Sequence, residues 1–345
     1  MSDLTAQVSA IRHGVALSRH DNLSLFRFAA DAGLAIIDPL VATNLDIRES
    51  QFRQALRLDG LGRPIADLLI GFFGGTLHVF GDGLPTDELV ATLNAETATR
   101  AHETHAIFGV DGPFAWELIG AWDTTQAIGL PYLGAYSPRD GVLVIRSGKT
   151  GEYGYLIAVP NDQADTVWAE LQAASGDLQC KVVGSEALRH CSLENLVFEI
   201  DREGRFDLDA LELQLTWRLD LRKQAAGLDA IRAHREAGLR RRLTAVETGA
   251  DVAVGDEIRC DGRRIGSVLA WAPDLSGGLR RVLSVLDMPF GESGMTYTLN
   301  GQDARTLSAP FVLNHSLFLN PQRHGWSNRD EVELPEGLAW PTSTP

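Results

Sequence analysis

The sequence lacks the features that mark several classes of protein. Its three cysteines, Cys180, Cys191 and Cys260, are odd in number and form no C-x-x-C pair, so neither a disulfide framework nor a cysteine zinc site is expected. Its apolar runs, such as residues 68–73, are too short to cross a bilayer. The N-terminus has no basic segment followed by an apolar block. We therefore expect buried free thiols and a cytoplasmic protein that does not enter the membrane.

Excess positive charge is also lacking. The formal net charge is -15 at pH 7, and such a field repels the phosphates of nucleic acids. Basic residues are concentrated in one segment, residues 232–242. It could bind an anionic ligand tail, but a solvated helix end is the more common meaning of such a run. Nucleic acid is therefore not an expected partner.

The order of patterns along the chain predicts an α+β protein. With 345 residues, of which 44% are hydrophobic, two or three packed units are expected. The spacing of apolar residues predicts helices over residues 24–40, 84–103 and 162–174, and a helix that follows the Gly-Pro turn within residues 110–122. It predicts two or three antiparallel strands over residues 54–83, and single strands over 142–148 and 152–160. After residue 238, short strands with glycine turns predict a β-barrel. We place an α+β region at 1–237, the barrel at 238–330 and a loosely held, proline-rich tail at 331–345.

Three motifs that would indicate a specific chemistry are incomplete or absent. In RSGKTGEYGY, residues 146–155, Leu143 stands where a phosphate loop needs its first glycine, and a strand pattern follows instead of a helix. This stretch is therefore predicted to be a hairpin turn. His102 and His105 are three residues apart, whereas a zinc-binding helix needs a spacing of four. No G-x-S-x-G elbow is present. We therefore predict neither a nucleotide site, nor a metal site, nor a nucleophilic hydrolase.

Two carboxylates stand out because each interrupts an apolar segment. Asp67 lies in RPIADLLIGFF and Glu194 lies in LRHCSLENLVF. Burying a carboxylate costs several kcal/mol unless it is paired or hydrogen-bonded, so such acids often have a partner or a task. The alternative, a turn or a solvent-facing position on an alternating strand, has about equal weight from the sequence alone.

An ordered set of motifs extends from the first strands to the barrel. Its members are GRPIADLLI (62–70), DGPFA (111–115), RSGKTGEYGY (146–155), CSLE (191–194), QLTWRLDLRK (214–223), and the glycine-containing stretches GLRRRL (238–243), GDEI (255–258) and GRRIGSV (262–268). The set resembles the folate-dependent aminomethyltransferase family, which comprises the T-protein of the glycine cleavage system and its paralogues.

The resemblance implies two ferredoxin-like units and a C-terminal β-barrel, arranged as a cloverleaf around a central folate channel. It also implies a transferase that passes a one-carbon unit between a small molecule and tetrahydrofolate. Glu194 would accept the two donors at the pterin edge, and Asp67 would hold the reacting amine, take its proton and stabilise positive charge. The other residues that the resemblance assigns to folate are Trp217, Arg222, Lys223 and Tyr155. Core packing is at least as good an explanation for Trp217. A solvated strand end is at least as good an explanation for Arg222 and Lys223.

Departures from the family pattern indicate a specialised paralogue. The family's Asp-Asp pair is Ala66-Asp67 here, its turn tyrosine is Lys149, and its Arg-Asp pair is Leu188-Arg189. These changes weigh against a lipoyl carrier protein as partner, and they leave methyl and aminomethyl chemistry both open. Two alternatives remain: the folate-binding branch associated with tRNA modification and iron-sulfur maintenance, whose turn cysteine is Gly148 here, and a relative that uses the scaffold without folate.

Overall fold

The structure, a computed structural model, describes residues 3–123, 129–275 and 277–340. Its helices are α1 Asp3–His13, α2 Ala30–Ile37, α3 Thr86–Leu93, α4 Ala115–Trp122, α5 Ala164–Ala174, α6 Ser185–Glu194 and α7 Leu228–Ala237. Its strands are β1 Val15–Arg19, β2 Ser24–Ala29, β3 Phe52–Leu58, β4 Pro64–Phe73, β5 Thr76–Asp82, β6 Thr99–Arg100, β7 His105–Asp111, β8 Ala135–Tyr136, β9 Leu143–Ile145, β10 Gly154–Pro160, β11 Cys180–Val182, β12 Arg241–Thr248, β13 Glu257–Cys260, β14 Arg263–Ala272, β15 Arg280–Asp287, β16 Thr296–Leu299 and β17 Gln302–Leu307.

The strands form two open sheets and one closed barrel. Sheet one has the order β3-β4-β5-β2-β6, and sheet two has the order β11-β1-β7-β10-β9-β8. The barrel closes in the order β12-β15-β14-β13-β16-β17. The predicted α+β class, with two sheet units followed by a β-barrel, is confirmed.

The two sheets pack against each other through a shared apolar layer. Leu25, Phe52 and Phe80 of sheet one lie in one buried cluster with Ile107 and Ile145 of sheet two. The outer face of each sheet is covered by its own helices, α2 and α3 on sheet one and α4 and α5 on sheet two. Strands buried on both faces carry apolar side chains at successive positions instead of alternating ones.

This double burial explains where the sequence prediction of a helix over residues 24–40 was wrong. Residues 24–29 form strand β2, in which Leu25 packs into the layer between the sheets and Phe26 packs under the helices. Only residues 30–37 form the helix. The run of apolar residues that suggested one helix therefore belongs to a buried strand followed by a shorter helix.

The predicted helix over residues 84–103 is also shorter than expected. Helix α3 ends at Leu93, and Asn94 adopts a left-handed conformation with φ of 51° that closes the helix. Strand β6 then pairs with β2 at the edge of sheet one. By contrast, the predicted hairpin around RSGKTGEYGY is confirmed, because β9 and β10 pair antiparallel on either side of residues 146–153.

The C-terminal segment returns from the barrel to sheet two. The last barrel strand ends at Leu307, and residues such as Leu319 and Trp326 pack against the core of sheet two. The tail predicted over 331–345 continues this contact, because the Trp340 ring lies 5.3 Å from the Phe114 ring and 4.3 Å from the His315 ring. Residues 341–345 lie outside the described residues.

Candidate functional site

Asp67 lies opposite another acid in the middle of sheet one. The register of β4 and β5 places Asp67 directly across from Asp82, and Asp67 is 6% exposed. Like charges at directly opposed positions of an antiparallel pair destabilise the sheet. The pair of aspartates therefore requires positive charge close by.

Arg218 and Lys149 supply that charge from two distant parts of the chain. Arg218 donates from Nη2 to Asp67 Oδ1 and to the Ala55 carbonyl. Lys149 Nζ lies 3.2 Å from Asp67 Oδ2 and 2.9 Å from Asp82 Oδ2. We call these four residues, Asp67, Asp82, Lys149 and Arg218, the central cluster. Its formal charges cancel.

The electrostatics of the central cluster favour its charged forms. Burial opposes ionisation of Asp67, but the charges of Arg218 and Lys149 outweigh burial and lower its pKa. Burial likewise opposes ionisation of Asp82, and the Lys149 charge lowers its pKa. Desolvation disfavours the Lys149 ammonium, yet Asp67 and Asp82 raise the Lys149 pKa above its ordinary value. At neutral pH all three groups are ionised.

The loop that carries Lys149, residues 146–153, is held by close backbone packing. Gly148 and Gly154 pack so closely on Asp111 that a Cβ atom would lie 2.9 Å or 3.0 Å from its Oδ1 atom. Gly151 has a φ of +83°, and a Cβ atom there would lie 2.3 Å from Asn195 Oδ1. These glycines permit the approach of the loop to its neighbours. The position of Lys149 therefore depends on glycines of the turn motif.

The other side of the same loop contacts a second group of buried charges. The Thr150 carbonyl accepts a hydrogen bond of 2.8 Å from Arg12 Nη1. Arg12 Nη2 in turn donates to Glu194 Oε2 at 2.7 Å, and Arg12 Nη1 also donates to Asn314 Oδ1 at 2.7 Å. The loop thus connects the surroundings of Asp67 with those of Glu194, the two carboxylates singled out from the sequence.

Both oxygens of Glu194 are engaged by protein groups. Arg12 contacts Oε2, while Arg281 of β15 and His190 Nε2 contact Oε1, the latter at 3.0 Å. Burial, followed by the charges of Arg281 and Arg12, lowers the His190 pKa to about 4, so the neutral imidazole donates to the carboxylate. Glu194 therefore ties helices α1 and α6 to the barrel.

Asp111, at the end of β7, is a buried acid of a different kind. Its Oδ1 accepts a hydrogen bond of 3.0 Å from Thr150 Oγ1. Burial raises the pKa of Asp111 to about 7, and the hydrogen bond from Thr150 lowers it only in part. This carboxyl titrates near neutral pH at the base of the loop that carries Lys149.

Glu199 is a third acid close to the central cluster. It lies 3.5 Å from both Arg189 and Arg202, and its charge acts on Lys149. Its Oε2 atom is buried and accepts no hydrogen bond from the described residues. Glu199 thus has one carboxylate oxygen that is ion-paired at 3.5 Å without a hydrogen bond, whereas both oxygens of Glu194 have closer partners.

The remaining residues assigned to folate from the sequence make no hydrogen bond to the central cluster among the described residues. Trp217 is 70% exposed, and its ring centre lies 5.7 Å from the Arg218 guanidinium carbon. The Arg222 side chain is 85% exposed and pairs with Asp220. Lys223 Nζ is bound by the Asp38 carboxylate at 2.7 Å. Tyr155 is 1% exposed and packs in the core of sheet two. The structure therefore brings Lys149 to Asp67 and places Trp217 beside Arg218, whereas Arg222, Lys223 and Tyr155 have their contacts elsewhere.

Sequence reasoning missed the cationic partners of both carboxylates, namely Arg12, Arg218 and Arg281. A signal existed for Arg12, because it lies on the buried face of α1 with Val8 and Ile11, and a charge on an apolar helix face implies a buried partner. Arg218 follows the exposed Trp217 and is itself buried. Nothing in the local sequence distinguishes their exposures.

Neither a membrane span nor a metal cluster is found in the described ranges 3–123, 129–275 and 277–340. No helix there is long and apolar enough to cross a bilayer. No group of three or more His, Cys, Asp or Glu side chains in those ranges is placed to hold a metal ion.

Comparison with known proteins finds relatives of similar sequence. An aminomethyltransferase of Mycobacterium leprae is 26% identical over 244 residues, which cover 68% of this chain and 66% of that protein. An aminomethyltransferase of Alkaliphilus oremlandii is 30% identical over 164 residues, 43% of this chain and 44% of that protein. The match thus spans just under two thirds of the first relative and less than half of the second.

A solved structure supports the same fold. The crystal structure of glycine cleavage system aminomethyltransferase T from Bartonella henselae superimposes with a TM-score of 0.79 at 17% identity, over 90% of this chain and 89% of that one. The family described as the GCVT N-terminal domain matches residues 2–223, which include Asp67, Lys149, Glu194 and Arg218. The match covers more than half of the 345 residues, and the chain belongs to this family.

Proposed function

We propose that the chain transfers a one-carbon unit, a methyl or an aminomethyl group, from a small donor molecule to tetrahydrofolate, as a diverged paralogue of the glycine cleavage T-protein. Membership of the GCVT family and the names of the aminomethyltransferase relatives support a transferase. The departures at Ala66 and Lys149 support divergence from the glycine cleavage reaction. A lipoyl carrier protein is not part of the proposal.

The observation that carries the proposal is the buried, ionised Asp67. A carboxylate beside the reacting nitrogens would accept a hydrogen bond from the folate amine and stabilise positive charge as the one-carbon unit leaves the donor. Arg218 fixes one oxygen of Asp67 and Lys149 contacts the other. A carboxylate fixed in this way needs little reorganisation when charge develops.

The lowered pKa of Asp67 refines the role suggested by the sequence. A general base works best when its pKa lies near the operating pH. The charges of Arg218 and Lys149 overcome the effect of burial and keep the pKa of Asp67 below its ordinary value, so Asp67 is a weak proton acceptor. We therefore assign Asp67 to holding and electrostatic stabilisation, and the proton of the folate amine would end on the departing group of the donor.

The fit of the site to a pterin depends on an available acceptor oxygen. A reduced pterin presents adjacent N–H and NH₂ donors, which a carboxylate accepts as a pair. The oxygens of Glu194 already accept from Arg12, His190 and Arg281, whereas Glu199 Oε2 is buried, has Arg189 and Arg202 at 3.5 Å, and accepts no hydrogen bond from the described residues. This contrast supports Glu199 as the pterin acceptor and Glu194 as the residue that fixes the surrounding framework.

A label-transfer experiment tests the proposal. The protein is incubated with tetrahydrofolate and with ¹³C-methyl donors of three classes, namely N-methyl amines, methyl ethers and methyl thioethers. We expect the label to appear on the folate with one class of donor, as read by ¹³C NMR. If tetrahydrofolate binds and no class of donor transfers its label, the proposed methyl chemistry is wrong and the aminomethyl alternative is next to be assayed.

A further inference from the structure

We propose that Lys149 occupies a cation-binding position beside Asp67 and thereby excludes donors whose reacting group is a charged ammonium, restricting the donor to an uncharged amine, ether or thioether. This inference rests on the proposed function, because it concerns which donor reaches Asp67. It concerns a specificity-determining residue that stands where the turn motif has tyrosine.

The contacts of Lys149 are those of a bound ammonium. Its Nζ lies within hydrogen-bonding distance of carboxylate oxygens on two neighbouring strands, Asp67 Oδ2 at 3.2 Å and Asp82 Oδ2 at 2.9 Å. The two acids are cross-strand partners. A primary ammonium has three donors and no acceptor, so it can bridge two carboxylates that would otherwise repel each other.

Removal of Lys149 would leave the central cluster with a net negative charge. With Lys149 and Arg218 present, the central cluster has two positive and two negative charges. Without Lys149, Arg218 offsets only one aspartate, and one negative charge remains unpaired beside Asp67. That charge is on Asp82, whose side chain is 44% exposed, so a cation from solution can reach it and is attracted to it. The same position with Lys149 in place repels a second cation.

The other ionisable groups around Lys149 do not change this balance. Glu199 acts on Lys149 electrostatically but is itself flanked by Arg189 and Arg202. His20 faces Asp82 and Lys149, and burial keeps its pKa below the ordinary value, so it is neutral at pH 7 and above. The Lys149 side chain is 34% exposed. A small molecule can therefore reach the position once the lysine is shortened.

Lys181 resembles Lys149 in exposure but is not held between carboxylates. The sequence contains three lysines, Lys149, Lys181 and Lys223. Lys181 forms one long contact with Asp3, at 3.9 Å, and its side chain is 42% exposed. It is therefore a matched control for a lysine held between two carboxylates.

The test measures binding of n-butylammonium, which reproduces the end of a lysine side chain, to Lys149→Ala, Lys181→Ala and the unmodified protein. Calorimetry and thermal denaturation are the readouts, and 1-butanol is the uncharged probe. We expect butylammonium to bind Lys149→Ala at least about tenfold more tightly than the other two proteins, and to raise its Tm where butanol does not. Equal binding to all three proteins, or equal effects of butanol and butylammonium, would overturn the inference.

A second measurement needs no variant and guards against misfolding of Lys149→Ala. Trace acetylation of the unmodified protein between pH 8 and 10, read by mass spectrometry, compares the lysines directly. We expect Lys149 to react at least about tenfold more slowly than Lys181, because a protonated amine held by two carboxylates is not a nucleophile. Equal reactivity would show that Lys149 is not held, and would also overturn the inference. Neither readout requires folate or turnover, so failure of the proposed function is detected separately.

Discussion

Asp67 and Asp82 face each other across two adjacent antiparallel strands, and the ammonium of Lys149 contacts both carboxylates, at 3.2 Å and 2.9 Å. The lysine comes from a loop between two strands of the other sheet, so the pairing joins the two sheet units at one point. The same loop contacts Arg12 through the Thr150 carbonyl. Residues 146–153 therefore contribute both to stability and to the proposed chemistry.

Replacing Asp67 by asparagine should abolish most of the transfer activity. The amide keeps the shape of the carboxylate but loses its charge, and we expect the turnover rate to fall by about 10²-fold or more. Label transfer to tetrahydrofolate is the measurement. Asp207→Asn is the control, because the Asp207 side chain is 83% exposed and pairs with Arg63 at the surface. Undiminished turnover in Asp67→Asn would remove Asp67 from the reaction.

Replacing Asp111 by asparagine should make stability less dependent on pH. Burial raises the pKa of Asp111 from 3.8 to about 7, so the folded state holds a proton that the unfolded state has released over this range. Stability from this group is present below pH 4 and is lost as the pH rises to about 7. We expect Asp111→Asn to match the unmodified protein at pH 4 and to exceed it at pH 8 by about 2–4 kcal/mol in unfolding free energy.

Urea denaturation at the two pH values gives this comparison directly. An equal difference between the two proteins at pH 4 and pH 8 would mean that Asp111 does not titrate between them. The asparagine oxygen can still accept the hydrogen bond from Thr150 Oγ1, so loss of that contact does not obscure the result.

The ion pair between Arg12 and Glu194 should show strong coupling. Glu194→Leu would leave the buried Arg12 without its carboxylate at 2.7 Å, and we expect it to destabilise the protein by about 3–5 kcal/mol. Arg12→Leu would leave Glu194 still paired with Arg281 and His190, so we expect a smaller loss. The double variant should lose less than the sum of the two. Urea midpoints of the three variants give the coupling free energy. Additive losses would indicate that the 2.7 Å contact contributes little.

Replacing Gly151 by alanine should lower the stability of the protein, because the added methyl group would clash with Asn195. Gly151 and Gly255 both have positive φ, but a Cβ atom at Gly151 would lie 2.3 Å from Asn195 Oδ1, while nothing lies within 4 Å of one at Gly255. Gly255→Ala thus reports backbone strain alone, about 1 kcal/mol. We expect Gly151→Ala to lower the Tm further than Gly255→Ala does. Equal Tm values would show that the loop yields without cost.

Local sequence patterns predicted much of the fold. They gave wrong secondary structure where tertiary packing, and not local pattern, determines it. Alternation and glycine turns predicted the hairpin around residues 146–153 and the barrel strands. They did not separate β2 from α2, because Leu25 and Phe26 are buried on opposite faces of one strand and read as a continuous apolar run. The C-terminal return to sheet two was missed as well, since a proline-rich segment gives no sign of the surface on which it packs.

The candidate site was predicted only as isolated residues. Asp67 and Glu194 were singled out correctly as buried acids, because a charge inside an apolar segment is a local signal. Their partners were not identified, since Arg218 is 151 positions from Asp67 and Arg12 is 182 positions from Glu194. Such pairings arise from the packing of distant elements. Arg218, the buried neighbour of Trp217, was not identified for the same reason.

Calorimetric titration of tetrahydrofolate into the unmodified protein most directly tests the central claim, that this chain is a folate-dependent transferase. We expect a Kd in the micromolar range, with binding weakened at least about tenfold in Glu199→Gln, because a carboxylate that accepts two donors contributes more than 1.4 kcal/mol. Glu194→Gln should reduce stability more than affinity. If tetrahydrofolate does not bind to the folded protein, the account of this chain as a folate-dependent transferase is wrong.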